Sequence, residues 1–155
     1  MLNWLPHPIK GSLSFLLYVV NTLFWFVPIM LLAVLKLPPI TRWQSWVTYL
    51  LDACAVAWIS VNNMTSRLFT RIRWQVSGLE KLSRKDWYLL LANHQSWADI
   101  LVLQKIFNRK IPFIKFFLKK ELIYVPLLGL CWWALDFPFM KRYSKAFLQR
   151  NPQLQ

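Results

Sequence analysis

The sequence contains few acidic residues and few of the side chains that bind metals. Only six of its 155 residues are Asp or Glu and only two are His, against 19 Lys and Arg. Its two cysteines, Cys54 and Cys131, lie in apolar segments without the spacing of a metal or redox motif. We therefore predict that both are small buried hydrophobic residues. A long apolar segment separates His7 from His94, which argues against a metal site.

The low charge content accompanies a high apolar content. Hydrophobic residues make up 57% of the chain and charged residues 16%, which is more apolar than an ordinary soluble domain. A net charge of +13 could by itself suggest a nucleic-acid partner. The basic residues, however, flank apolar segments and accompany ten tryptophans, a pattern that favours an anionic lipid surface. We therefore predict a membrane protein with no nucleic-acid partner.

Two apolar segments near the N-terminus predict a membrane anchor. Residues 11–35 carry no charged side chain, and about 20 apolar residues in a helix suffice to cross a bilayer core. The second segment, residues 46–61, is weaker because it contains Asp52. Basic residues beyond the outer ends of the two segments predict that both ends face the cytoplasm. Residues 1–65 are thus interpreted as a hydrophobic two-helix anchor that either spans the bilayer or dips into one leaflet.

Beyond residue 66 the pattern changes to short strands and helices. Residues 97–107 have helical periodicity, and a later helical stretch is predicted to break at Pro126 and Gly129. Strands that alternate with helices predict an α/β layer, here over residues 66–155. Four segments have the alternation or the apolar continuity of strands: residues 72–76, 87–92, 111–114 and 137–140.

Residues 91–99, LANHQSWAD, form a polar cluster between a predicted strand and a predicted helix. In α/β proteins, ligands bind at the carboxyl ends of the strands, where each strand leads into a helix. Ser96 and Asp99 have the spacing of a capping box, which alone would explain Asp99 but not His94. Alternatively, His94 is a general base whose tautomer Asp99 fixes. Since the chain offers no convincing serine or cysteine nucleophile, His94 would then activate a substrate hydroxyl directly.

Three motifs together resemble the membrane glycerolipid acyltransferases, the family of 1-acylglycerol-3-phosphate acyltransferases. Asn93-His94 with Asp99 is similar to the first signature block, a His-x4-Asp motif. Residues 119–122, KKEL, with the Pro and Gly that follow, resemble the Lys-x-Glu-Leu…Pro-x-x-Gly stretch, and residues 139–142, FMKR, resemble the second block. Residues 76–145 as a whole are similar to the bacterial branch related to lysophospholipid acyltransferases.

The resemblance implies transfer of a fatty acyl group from a thioester, acyl-coenzyme A or acyl carrier protein, to a hydroxyl of a lysophospholipid. It makes His94 the base and Asp99 its orienting partner, with no bound cofactor. The implied partners are membrane lipids, the lysophospholipid acceptor and the acyl thioester donor. The implied location is the bacterial inner membrane, with the active site on the cytoplasmic face. The implied substrate-binding residues are basic or polar positions of the same motifs: Arg142, Lys119, Lys120 and Asn93.

The sequence also departs from the family pattern. Asp136 occupies the position at which the second block begins with glycine, so a changed backbone preference is expected there. The third block, an acidic residue followed by Gly, Ser or Thr, and Arg, has no match in the sequence, and neither does the proline-containing fourth block. Residues 66–155 are therefore interpreted as the N-terminal part of an acyltransferase domain with an incomplete α/β layer. Two alternatives stay open: a truncated, inactive membrane-anchored fragment, and a non-catalytic lipid-binding protein.

Overall fold

The computed structural model describes residues 6–70 and 72–141 together with residues 143, 149 and 153. The chain divides into two compact units, Met1–Ile114 and Lys115–Gln155. The described residues of the first unit form three helices: α1 (His7–Leu35), α2 (Thr41–Phe69) and α3 (Trp97–Phe107). Those of the second unit form two short strands, a 3-10 helix and an α-helix: β1 (Leu118–Lys119), the 3-10 helix (Lys120–Tyr124), α4 (Leu128–Ala134) and β2 (Phe139–Met140).

Helices α1 and α2 pack against each other as an antiparallel pair. The Trp43 indole nitrogen donates to the Leu35 carbonyl at 2.6 Å beside the connection, whereas Asn21 of α1 pairs with Asn62 much farther along α2. The buried side chains of α2 recur at four-residue intervals, which places them on one face of the helix: Val47, Leu51, Ala55 and Ile59. This face forms the core of the pair, and two of its side chains, Val47 and Leu51, are the largest fully buried ones in the described part of the chain.

A polar contact lies inside this otherwise apolar pair. The Asn21 side-chain amide donates to Asn62 Oδ1 at 2.8 Å and to the Trp58 carbonyl at 3.0 Å. Both asparagines are buried, with exposed fractions of 7% and 6%. The Trp58 indole nitrogen in turn donates to Thr22 Oγ1 at 3.2 Å. Because a buried amide is stable only when it is hydrogen-bonded, these contacts fix the register of α1 on α2.

Substitution of either member of the Asn21–Asn62 pair should loosen the two helices. We expect Asn21→Leu and Asn62→Leu to be non-additive, with a coupling free energy of about 0.5–1.5 kcal/mol, the net contribution of a typical intramolecular hydrogen bond. Equilibrium unfolding in mixed micelles, followed by circular dichroism, measures this coupling. Asn63→Leu, one position away on α2, is the matched control. Strict additivity of the two substitutions would contradict the proposed register contact.

Helix α1 is the one helix in the described part of the chain that is long and apolar enough to cross a membrane. It has 29 residues and a mean hydropathy of 2.1 over its most apolar window. Large side chains on its outer face, such as Phe15 and Phe24, are 70% and 66% exposed. Helix α2 contains the predicted second segment, residues 46–61, but does not reach the same apolarity. A membrane role for the two helices together therefore stays a prediction.

The second unit is organised around one parallel strand pair. Leu118 of β1 is opposite Phe139 of β2, and Lys119 is opposite Met140. Residues 120–138 connect the strands through the 3-10 helix and α4, as parallel pairing requires a crossover of this length. Leu118 is buried and Lys119 exposed, so the sheet has one inner and one outer face. The predicted strand at residues 137–140 is thus present over its last two positions.

The other three predicted strands are wrong. Residues 72–76, 87–92 and 111–114 have no regular secondary structure. The segment predicted to be a buried strand is exposed, with Trp87 at 96% and Leu91 at 89%. Alternation and apolar runs report which side chains favour burial, but a strand exists only where a second strand accepts and donates its backbone hydrogen bonds. The described part of the chain supplies such a partner only between β1 and β2.

The predicted break at Pro126 is confirmed, whereas the one at Gly129 is wrong. The 3-10 helix ends at Tyr124 and α4 begins at Leu128, after Leu127 with φ of +63°. Gly129 lies inside α4 and is buried. A Cβ atom at this position would collide with the Ile123 carbonyl oxygen and carbon. Glycine is therefore required because the backbone of α4 passes directly against the preceding 3-10 helix.

Gly129→Ala should destabilise the second unit because the added methyl group has no space. We expect a loss of about 1–3 kcal/mol in the free energy of unfolding, the usual effect of overpacking a tight contact. Gly11→Ala is the matched control, since no atom lies within 4 Å of the point that a Cβ would occupy there, and Ala in a helix interior is more favourable than Gly. Thermal unfolding of the two variants in detergent should shift in opposite directions. Equal shifts would contradict the close approach.

Candidate active site

The polar cluster at residues 91–99 is organised by the first turn of α3. Ser96 is the N-cap of the helix, and its hydroxyl oxygen accepts from the Ala98 amide at 3.2 Å. Asp99, the third helical residue, reaches back so that its Oδ2 accepts from the amides of Gln95 and Ser96, each at 2.7 Å. This is the predicted capping box, and α3 has its predicted bounds. Donors that a helix N-terminus would otherwise leave unpaired are thereby satisfied.

The same carboxylate oxygen also contacts the histidine. His94 Nδ1 lies 3.3 Å from Asp99 Oδ2. The imidazole is 59% exposed and the carboxylate 34% exposed, so solvent reaches the pair. Capping and histidine orientation are therefore compatible roles of one side chain. With Nδ1 beside Asp99, Nε2 is the ring nitrogen left to exchange a proton with a substrate.

Hydrogen bonds hold Asp99 in its charged form. The backbone amides of Ser96 and Gln95 are the main reason that the pKa of Asp99 lies below the ordinary value of an aspartic acid, and His94 lowers it further. A hydrogen-bonded carboxylate of this kind stays ionised throughout the neutral range. It can therefore offer His94 a fixed negative charge whatever the protonation of the ring. Such a charge favours the imidazolium that forms when a histidine accepts a proton.

The lowered pKa of Asp99 predicts how the first turn of α3 responds to acid. The carboxylate stabilises the folded turn above its unfolded pKa of about 4, and this stabilisation is lost as the pH falls through the lower folded value. We expect hydrogen-exchange protection of the Gln95 and Ser96 amides to fall as the pH drops below about 4. Nuclear magnetic resonance or mass spectrometry measures this protection. In Asp99→Asn, protection should be lower at neutral pH and independent of pH; pH-independent protection in the unsubstituted chain would contradict the assignment.

The remaining predicted site residues fall into three groups. Asn93 is exposed and directly precedes His94 in the same loop. Lys119 and Lys120 belong to the second unit, where Lys119 is on the exposed outer face of β1 and Lys120 begins the 3-10 helix. Arg142 lies outside the described residues. The structure thus brings together His94 and Asp99.

Asp136 has a backbone conformation that is typical of glycine. Its φ is +56°, in the left-handed region that favours glycine. The changed backbone preference expected at this position stays a prediction. Aspartate enters this region more readily than most residues, and Lys115 Nζ lies 3.8 Å from its carboxylate.

One hydrogen-bond donor of the site could not be found from side-chain motifs. The Gln95 amide contributes to the site through its backbone, so no side-chain pattern reveals it. Cys131 is buried as predicted, and burial raises the pKa of its thiol to about 11. Because the thiolate is the nucleophilic form of cysteine, Cys131 is not a candidate nucleophile.

Comparison with known proteins finds a family match in the second half of the chain. Residues 73–153 match the model of the Acyltransferase family, which is just over half of the sequence. The matched segment contains His94 and Asp99 as well as the other motifs on which the sequence resemblance rests. No curated protein and no solved structure matches the chain.

Proposed function

Because this chain belongs to the glycerolipid acyltransferase family, we propose that it transfers a fatty acyl group from an acyl thioester to the hydroxyl of a lysophospholipid. The observation that carries the proposal is the 3.3 Å contact between His94 Nδ1 and Asp99 Oδ2. That contact lies within the segment that matches the family. It joins the two residue types that a general base and its orienting partner require.

In the proposed reaction, Nε2 of His94 takes the proton of the acceptor hydroxyl. The hydroxyl oxygen then attacks the carbonyl carbon of the thioester and forms the new C–O bond. Asp99, ionised and held by two backbone amides, stabilises the imidazolium produced at His94. A base in this position typically contributes about 10²–10⁴-fold in rate.

Collapse of the tetrahedral intermediate completes the transfer. The C–S bond breaks, and the imidazolium of His94 returns its proton to the departing sulfur. The products are the acylated phospholipid and a free thiol, of coenzyme A or of acyl carrier protein. No covalent acyl-enzyme forms in this scheme, and the protein requires no bound cofactor. The chemistry therefore depends on binding both substrates beside one imidazole.

The acceptor phosphate is proposed to bind basic residues of the later motifs. Arg142 is the first choice because a guanidinium can donate two parallel hydrogen bonds to phosphate oxygens. Lys119 and Lys120 are the second choice, and both side chains are exposed. Asn93 is proposed to contact substrate beside His94. Each of these assignments rests on the family motifs.

The proposed location is the membrane, at the level of the lipid headgroups. An acceptor with a long acyl chain stays in the bilayer, so the site must reach the membrane surface. Helix α1, with an apolar and exposed outer face, is the proposed main anchor, and α2 packs along it. The net charge of +13 favours an anionic lipid surface. From the family resemblance and the basic residues beyond the apolar segments, we further propose the cytoplasmic face of a bacterial inner membrane.

Acyl transfer by the chain in liposomes tests the proposal. The assay supplies labelled acyl-coenzyme A or acyl carrier protein and a panel of lysophospholipids, and follows the acylated product. We expect His94→Ala to lower kcat by about 10²–10⁴-fold. Asp99→Asn should lower kcat by at least about tenfold, because the neutral amide no longer stabilises the imidazolium. His7→Ala is the matched control and should retain activity.

The control readouts separate catalysis from folding and from lipid binding. Circular dichroism and liposome flotation of each variant should match the unsubstituted chain within error. Turnover that is equal in His94→Ala and in the unsubstituted chain would show that His94 is not the base. Binding of lysophospholipid without any turnover would instead identify a non-catalytic lipid-binding protein.

A further inference from the structure

A basic pair lies where α2 and α3 pack together in the first unit. Arg67 is in the last turn of α2 and Lys105 in the last turn of α3. The ammonium of Lys105 lies over the ring of Trp74, 4.6 Å from its centroid. Trp74 follows the end of α2 in the chain and is partly exposed. Lys105 and Trp74 are thus in contact, and Arg67 is near enough to Lys105 for the two charges to interact.

The like charges of this pair repel each other. Burial lowers the pKa of Lys105, and the like charge of Arg67 lowers it further. Each cation alone could interact with the carbonyl end of its own helix, but that effect does not bring two cations together. In the described part of the chain, neither Arg67 nor Lys105 forms an ion pair with a carboxylate. An anion between them would offset the repulsion and the lost hydration.

The position of Arg67 and Lys105 indicates which class of anion would bind between them. Because α1 and α2 are antiparallel, the C-terminal end of α2 lies at the same end of the helix pair as the N-terminal part of α1, which carries Lys10. With the apolar face of α1 in lipid, this end is at the headgroup level. Tryptophan and basic side chains concentrate at that level of a membrane protein.

We propose that Arg67, Lys105 and Trp74 form a binding site for the phosphate of an anionic membrane phospholipid. The inference rests on the membrane location proposed above but not on the acyl-transfer chemistry. Lys105 is six residues from Asp99 along α3, about 9 Å along the helix axis and on a different face. The bound lipid is therefore a structural partner at the end of α2 rather than the molecule that His94 acts on.

The reactivity of the Lys105 amine reports on this site. The chain is placed in nanodiscs of phosphatidylcholine alone or with phosphatidylglycerol, and each lysine is acetylated and quantified by peptide mass spectrometry. We expect the anionic lipid to slow acetylation of Lys105 by about tenfold, because a rise of one pKa unit lowers the free amine tenfold. Lys110, exposed just beyond α3, is the internal reference and should slow much less.

Two variants and one competitor make the test specific. Arg67→Gln should abolish most of the protection of Lys105, whereas Arg84→Gln, which removes the same charge from an exposed loop position, should preserve it. Inorganic phosphate in phosphatidylcholine nanodiscs should give little protection. Equal slowing at Lys105 and Lys110, or equal protection by free phosphate, would overturn the lipid site. Failure of the chain to co-purify with nanodiscs would instead overturn the membrane location itself.

Discussion

One carboxylate oxygen organises the region that carries the proposed chemistry. Asp99 Oδ2 accepts from the amides of Gln95 and Ser96 and lies beside His94 Nδ1. The two amide contacts start α3, and the third contact sets the orientation of the imidazole. Because all three use one oxygen, the position of the histidine is tied to the geometry of the helix start. His94 therefore has a fixed contact with Asp99 although it lies in an exposed loop.

Hydrogen bonding in the first unit and close backbone packing in the second explain the organisation of the two units away from that site. The Asn21 amide finds two acceptors on α2, which allows a polar pair inside an apolar interface. In the second unit, the backbone of α4 approaches the Ile123 carbonyl so closely that only glycine fits at residue 129. Arg67 and Lys105 are like charges that lie near each other, and neither forms an ion pair with a carboxylate in the described residues. An external anion would offset their repulsion.

Predictions from sequence succeeded where the interaction is local and failed where it is not. The bounds of α3, its capping box and the break at Pro126 follow from residues within a few positions of one another. The strands predicted at residues 72–76, 87–92 and 111–114 did not form, because strand pairing depends on a distant segment that the local pattern does not contain. Asp136 illustrates a third case, since only the structure shows that this aspartate has a left-handed backbone.

The sequence by itself indicated the family, which the match over residues 73–153 confirms, and it determined the helices whose signals are periodic or capped. It also supplied His94 and Asp99 as a candidate pair. Only the tertiary structure decided that the capping oxygen and the histidine contact are the same atom, that Gly129 is needed for a close backbone approach, and that Lys105 lies on Trp74. These are distances between atoms, and residue types along a chain do not specify them until the backbone is folded.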